Sequence, residues 1–196
     1  MAGLPLKKPG YEFTYGDYYN WNDDKRWELI YGVAYDMTPA PLRVHQDVSG
    51  YIFYIFYDYL KDKECKVYEA PFDVRLPESD EADDDIPTVV QPDILVVCDK
   101  SKLDRRGMRG APDLVVEILS EHTAKKDMTV KLDLYERHRV KEYWIVNSNG
   151  KNIMVFKFDN KSKKYKRPET YFPGDELKAG IFKGLIINVD DVFKED

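Results

Sequence analysis

Cysteine is nearly absent from this chain. Cys65 and Cys98 are the only two in 196 residues, far from each other and from any His pair. Neither zinc-ligand spacing nor a disulfide framework is suggested, and both read as small core or surface residues. No apolar stretch reaches transmembrane length, and the opening residues 1–10 lack the apolar middle of a secretory signal, which predicts a cytoplasmic protein. Positive charge is in deficit: the formal net charge of -6 argues against a general nucleic-acid coat protein, which needs Lys and Arg to displace counterions, but leaves a nuclease open. Repeats, low-complexity tracts and linker-like segments are missing too. With 43% hydrophobic residues, 14% of all residues aromatic, the expectation is a single domain over 1–196 with its own core.

What charge there is, is segregated. Glu78, Asp80, Glu81, Asp83, Asp84 and Asp85 crowd one stretch, and Lys100, Lys102, Arg105, Arg106 and Arg109 another. Two readings stay open, a pair of solvated loops or a basic loop that touches a phosphate backbone.

The pattern of elements is mixed. Thr14 caps a short helix to about Tyr19, and Lys25 to Ile30 and Val33 to Met37 form a hairpin through Tyr31-Gly32. Pro39 and Pro41 end it. Val44, Val48, Tyr51, Ile52, Ile55, Phe56, Tyr59 and Leu60 then recur at helical spacing, and strands are predicted over Lys66 to Glu69 and Phe72 to Leu76. Two strand-like runs open with Pro-Asp, Gln91 to Val97 and Ala111 to Leu119, and a polar helix follows the second, to about His138. Strand from Lys141 to Val146, a turn at Asn149-Gly150, a strand from Ile153 to Phe158 and short terminal strands make a C-terminal β appendage.

One residue breaks the apolar pattern. Glu117 sits inside the run Leu114 to Leu119, where an ionised carboxylate loses several kcal/mol of hydration unless a cation or donors replace the water. If the two Pro-Asp strands pair as neighbours, Asp93 and Glu117 converge at one end of a sheet, the beginning of a divalent-metal site. On the next helix Asp127, Lys131 and Tyr135 share one stripe, so Lys131 can reach back toward the sheet. The plainer alternatives are that Asp93 and Asp113 cap strand starts, and that Glu117 forms a buried ion pair with Lys131 or an arginine. His45, near a helix start, reads as a cap or a satisfied core histidine and is left out of the site.

Taken in order, Trp27-Glu28-Leu29-Ile30-Tyr31-Gly32, His45-Gln46, Gln91-Pro92-Asp93, Pro112 to Ser120, Asp127, Lys131, Tyr135 and Glu142-Tyr143-Trp144-Ile145-Val146 resemble the Uma-two family of putative restriction endonucleases, which is similar to the PD-(D/E)XK nuclease superfamily. The resemblance covers nearly the full chain. It implies an α/β (α+β mixed) fold with a restriction-endonuclease-like core, a mixed sheet flanked by helices, here with an N-terminal hairpin and the C-terminal β appendage. It further implies a Mg2+-dependent endonuclease acting on DNA, with Mn2+ a possible substitute, Asp93 and Glu117 holding the metal, and Glu28, Asp93, Glu117 and Lys131 forming the catalytic set. The superfamily places a lysine two residues after the second acid, where this chain has Leu119; the resemblance implies that Lys131 supplies the ammonium instead. A homodimer is expected, because restriction-like folds often pair to cut both strands. The alternative is a catalytically inactive nucleic-acid-binding or regulatory protein on the same fold.

Overall fold

The computed structural model describes residues 11–37 and 40–194. The opening read above as no secretory signal, and Pro39, lie outside the described residues. Two compact units are present, the first from the chain start to Ala40 with Pro71–Gln91 and Ser101–Ala111, the second from Pro41–Ala70, Pro92–Lys100 and Pro112–Asp196. Among the described residues no helix is long and apolar enough to cross a membrane.

In the first unit, helix α1 (Tyr15–Tyr19) starts as expected at Thr14, whose side chain and that of Asp17 cap each other's backbone amides. Strands, numbered along the chain, are β1 (Trp27–Ile30), β2 (Val33–Asp36), β4 (Val74–Arg75), β5 (Val89–Val90), β7 (Leu103–Asp104) and β8 (Gly107–Arg109), in the sheet order β2-β1-β5-β4-β8-β7. The β1–β2 turn has positive φ at both Tyr31 and Gly32, 51° and 70°, the combination that matches strand twist in a two-residue hairpin. A Cβ at residue 32 would lie 2.5 Å from that of Glu12, so only glycine fits there. The strand expected over Phe72 to Leu76 shortens to Val74–Arg75. Arg75 explains much of the local charge: fully buried, it ion-pairs with Asp83 and with Asp104. Arg109 lies 3.7 Å from Asp83 and donates to the Glu81 carbonyl, and Arg106 lies 3.4 Å from Asp84. Two acids of the first stretch, Asp83 and Asp84, therefore pair with Arg109 and Arg106 of the second.

The second unit is built on a mixed sheet of β3 (Lys66–Glu69), β6 (Ile94–Val97), β9 (Leu114–Ile118), β10 (Glu142–Asn147), β11 (Asn152–Asp159), β12 (Lys164–Tyr165) and β13 (Glu169–Tyr171). Its order is β12-β11-β10-β9-β6-β3, with β13 also beside β11; β9 and β10 are parallel and the other pairs antiparallel. One face packs Ile94, Val96, Leu114, Val116, Ile118 and Trp144 against helix α2 (Arg43–Leu60) through Val48, Ile52, Phe56 and Leu60. Each such side chain removed from water contributes about 1.5–3 kcal/mol. The terminal β14 (Glu176–Lys178), β15 (Ile186–Asn188) and α5 (Val189–Val192) are more than an appendage, because Leu177, Ile187, Val189 and Val192 complete this same core.

The reading of the cysteines is corrected. The β3–β6 register pairs Lys66 with Val97, which sets Cys65 directly opposite Cys98, and the two form a disulfide across a sequence separation of 33. Only the strand register reveals this proximity; linear spacing carries no trace of it.

Candidate active site

The two Pro-Asp segments cap opposite ends of one strand pair. The β6–β9 register pairs Ile94 with Val116 and Val96 with Leu114, and its continuation sets Asp93 opposite Glu117. Beyond the last rung, Ile118 N–H donates to the Asp93 carboxylate at 2.7 Å instead of to a main-chain carbonyl. At the far end Cys98 N–H donates to the Asp113 carboxylate, also at 2.7 Å. Both aspartates thus have the structural capping role that their position after proline suggested. They differ in what else they meet. Lys141 pairs with Asp113 Oδ1 at 2.6 Å, whereas among the described residues Asp93 Oδ1 meets no cation and its side chain is 22% exposed.

Side chains alternate across β9, so Glu117 points away from the α2 core. It is 4% exposed, and its Oε1 accepts from Lys131 Nζ and Tyr135 Oη, each at 2.8 Å. Both donors come from one helical stretch, α3 (Ala124–Lys126), a π segment (Asp127–Lys131) and α4 (Leu132–Arg137). As expected, Asp127, Lys131 and Tyr135 share a buried stripe, with Lys131 Nζ 3.9 Å from Asp127 Oδ1. The wide π turn was not expected; such turns recur where side chains must be re-aimed at functional sites. Tyr143 closes the pocket, its ring 4.9 Å from that of Tyr135 and its hydroxyl on the Asp127 carbonyl at 3.0 Å. Burial holds the Tyr143 pKa well above the usual value. Lys131 therefore places an ammonium group on Glu117 in surroundings too dry to screen it, while Leu119, two residues on, lies just past the end of β9 and donates its backbone N–H to the Val146 carbonyl.

Of the four expected catalytic residues, Asp93, Glu117 and Lys131 belong to the second unit, where Lys131 is bonded to Glu117 and the strand register sets Asp93 opposite Glu117. Glu28 belongs to the first. It is 0% exposed on β1, and its Oε1 accepts from Gln91 N–H at 2.9 Å. The Gln91 side chain in turn joins Arg26, Tyr18 and Asp73 in a hydrogen-bonded network.

His45 was missed. From the first turn of α2 it reaches the Asp93 carboxylate, Nε2 to Oδ2 at 3.2 Å. Burial opposes its charging, but the hydrogen bond and charge of Asp93 outweigh that and hold its pKa above the usual value. The signal was present in the spacing. Residues 45, 48, 52 and 56 fall on one helical stripe, so His45 shares the buried face with Val48, Ile52 and Phe56.

The mixed α/β architecture is a restriction-endonuclease-like fold. The chain belongs to the Uma2 family, described as "Putative restriction endonuclease", which matches residues 15–190. It is similar to the crystal structure of a putative nuclease belonging to DUF820 from Anabaena variabilis ATCC 29413, with a TM-score of 0.73 and 16% identity, covering 92% of this chain and 97% of that one. No curated protein matches the chain.

Proposed function

We propose that this protein is a Mg2+-dependent endonuclease that hydrolyses DNA phosphodiester bonds, with Mn2+ able to substitute. The observation that carries the reading is the Asp93 carboxylate, with Oδ1 unengaged, set across the strand pair from a buried Glu117 that Lys131 and Tyr135 hold. Among the described residues no group of three or more His, Cys, Asp or Glu gathers around one point. A two-carboxylate site still fits Mg2+, which keeps several waters and is usually held by one or two carboxylates plus substrate phosphate. Asp93 and Glu117 would hold the ion. When bound it neutralises charge on the phosphoryl oxygens and makes water a better nucleophile.

The chain's own groups do the rest. Ile118 N–H holds Asp93 through Oδ2, and the part-exposed carboxylate keeps Oδ1 for the ion. Tyr135 orients Glu117, and Lys131, with three N–H donors, either stabilises the developing phosphoryl charge or orients the attacking water. Glu28 keeps its proposed part in catalysis on the resemblance alone. We also propose a cytoplasmic homodimer of a single domain; exposed Tyr54 and Tyr57 on α2 support self-association.

Incubation with supercoiled plasmid tests the reading. Nicking that requires Mg2+ or Mn2+ and is lost in Asp93→Asn, Glu117→Gln and Lys131→Met is expected. The second reading, an inactive nucleic-acid-binding or regulatory protein, is favoured by Leu119 at the usual lysine position, and metal-independent DNA binding without cleavage would replace the first reading with it.

A further inference from the structure

His45 has no part in the function proposed above, yet from the buried side of α2 it reaches the Asp93 carboxylate. We infer that His45 is a positioning residue that locks the Asp93 carboxylate so that Oδ1 alone faces a metal; this rests on the proposed metal site.

The geometry is specific. An ionised carboxylate only accepts, so the 3.2 Å contact to Asp93 Oδ2 requires the hydrogen on His45 Nε2. That orientation makes His45 a donor to Asp93, not a ligand in its own right, and its Nδ1 is buried. Oδ2 therefore receives two donors, Ile118 N–H at 2.7 Å and His45 Nε2–H. They come from independent elements, strand β9 and helix α2, so Oδ2 is tethered twice and Oδ1 is the oxygen left for an ion. A carboxylate held this way presents a single oxygen of defined direction. Outer hydrogen bonds of this kind orient ligands, and losing one typically costs about 10–100-fold in metal affinity.

A matched pair of variants tests it. His45→Gln keeps a side-chain N–H near the Nε2 position, and His45→Leu fills similar space without a donor. In the metal-free protein, amide hydrogen exchange at Ile118 is expected to quicken in His45→Leu relative to the rest of β9 and to return toward wild type in His45→Gln. Mn2+ affinity by calorimetry is expected to fall about 10–100-fold in His45→Leu and to recover in His45→Gln. A folded His45→Leu protein with unchanged Ile118 exchange, or with wild-type Mn2+ affinity, overturns the inference. If wild type takes up no Mn2+, the metal site itself is wrong, and the exchange result alone decides whether His45 positions Asp93.

Discussion

Lys131→Met removes the ammonium from a buried pair while nearly conserving side-chain volume, so the response reports charge rather than a cavity. Lys131 is 1% exposed and its 2.8 Å bond to Glu117 is one of two donors on that oxygen. Removing one partner of a buried pair leaves the other charge uncompensated, which costs about 3–5 kcal/mol. Tyr135 still donates to Glu117, and a hydrogen bond to a charged acceptor is worth about 1.5–3 kcal/mol, so the expected loss lies near the lower end. In the double variant Lys131→Met/Glu117→Gln both charges are gone, and stability should return to within about 1–2 kcal/mol of wild type, because a neutral replacement of a buried pair is often tolerated. Urea unfolding at pH 7.5 followed by circular dichroism reads all three differences. Added Mg2+ should stabilise the single variant, by about 2.7 kcal/mol at a concentration one hundred times its Kd. A single variant within about 1 kcal/mol of wild type, or a double variant whose loss is the sum of the two singles, would refute the view that these charges meet in a dry pocket.

Reducing the Cys65–Cys98 disulfide, which closes a loop across a separation of 33 residues, should lower unfolding free energy by about 3–4 kcal/mol; denaturant curves with and without reductant check it, and coincident curves refute the pairing. Glu142 is buried, accepts from Trp144 Nε1 and Ile181 N–H at 3.0 Å each, and burial holds its pKa above the usual carboxylate value. The folded state therefore keeps that proton to higher pH than the unfolded state. Stability from this group is greatest below the unfolded value of about 4.3, falls as pH rises from there through the folded pKa, and is constant above it. Wild type measured against Glu142→Gln should lose relative stability over that window in urea titrations at stepped pH, and a flat difference refutes it.

Local patterns proved readable where a side chain's role depends on its near neighbours in the chain. The Tyr31-Gly32 hairpin, the cap at Thr14, the apolar stripe of α2 and the Asp127–Lys131–Tyr135 stripe all follow from periodicity and turn chemistry, and all are present. Glu117 announced itself by being charged in an apolar strand, and its buried ion pair is there. What could not be read depends on register and on the meeting of distant segments. The disulfide, the cap that Asp113 places on Cys98 and the pairing of Arg75 with Asp83 and Asp104 arise only once strands are aligned. The apolar stretch around Pro92 also hid a boundary: Val89–Val90 belongs to one sheet and Ile94–Val97 to another, because Pro92 has no amide hydrogen to continue a ladder. His45 lay between these cases, legible as a buried helix position but not as a partner of Asp93.

Asp93 and Glu117 are proposed to share one divalent ion. Anomalous diffraction from crystals soaked in Mn2+, recorded at the manganese edge, tests it most directly. The expected result is a peak beside Asp93 and Glu117, with Lys131 still bonded to Glu117. Density with no peak there, or a peak that leaves Asp93 uncoordinated, would contradict it.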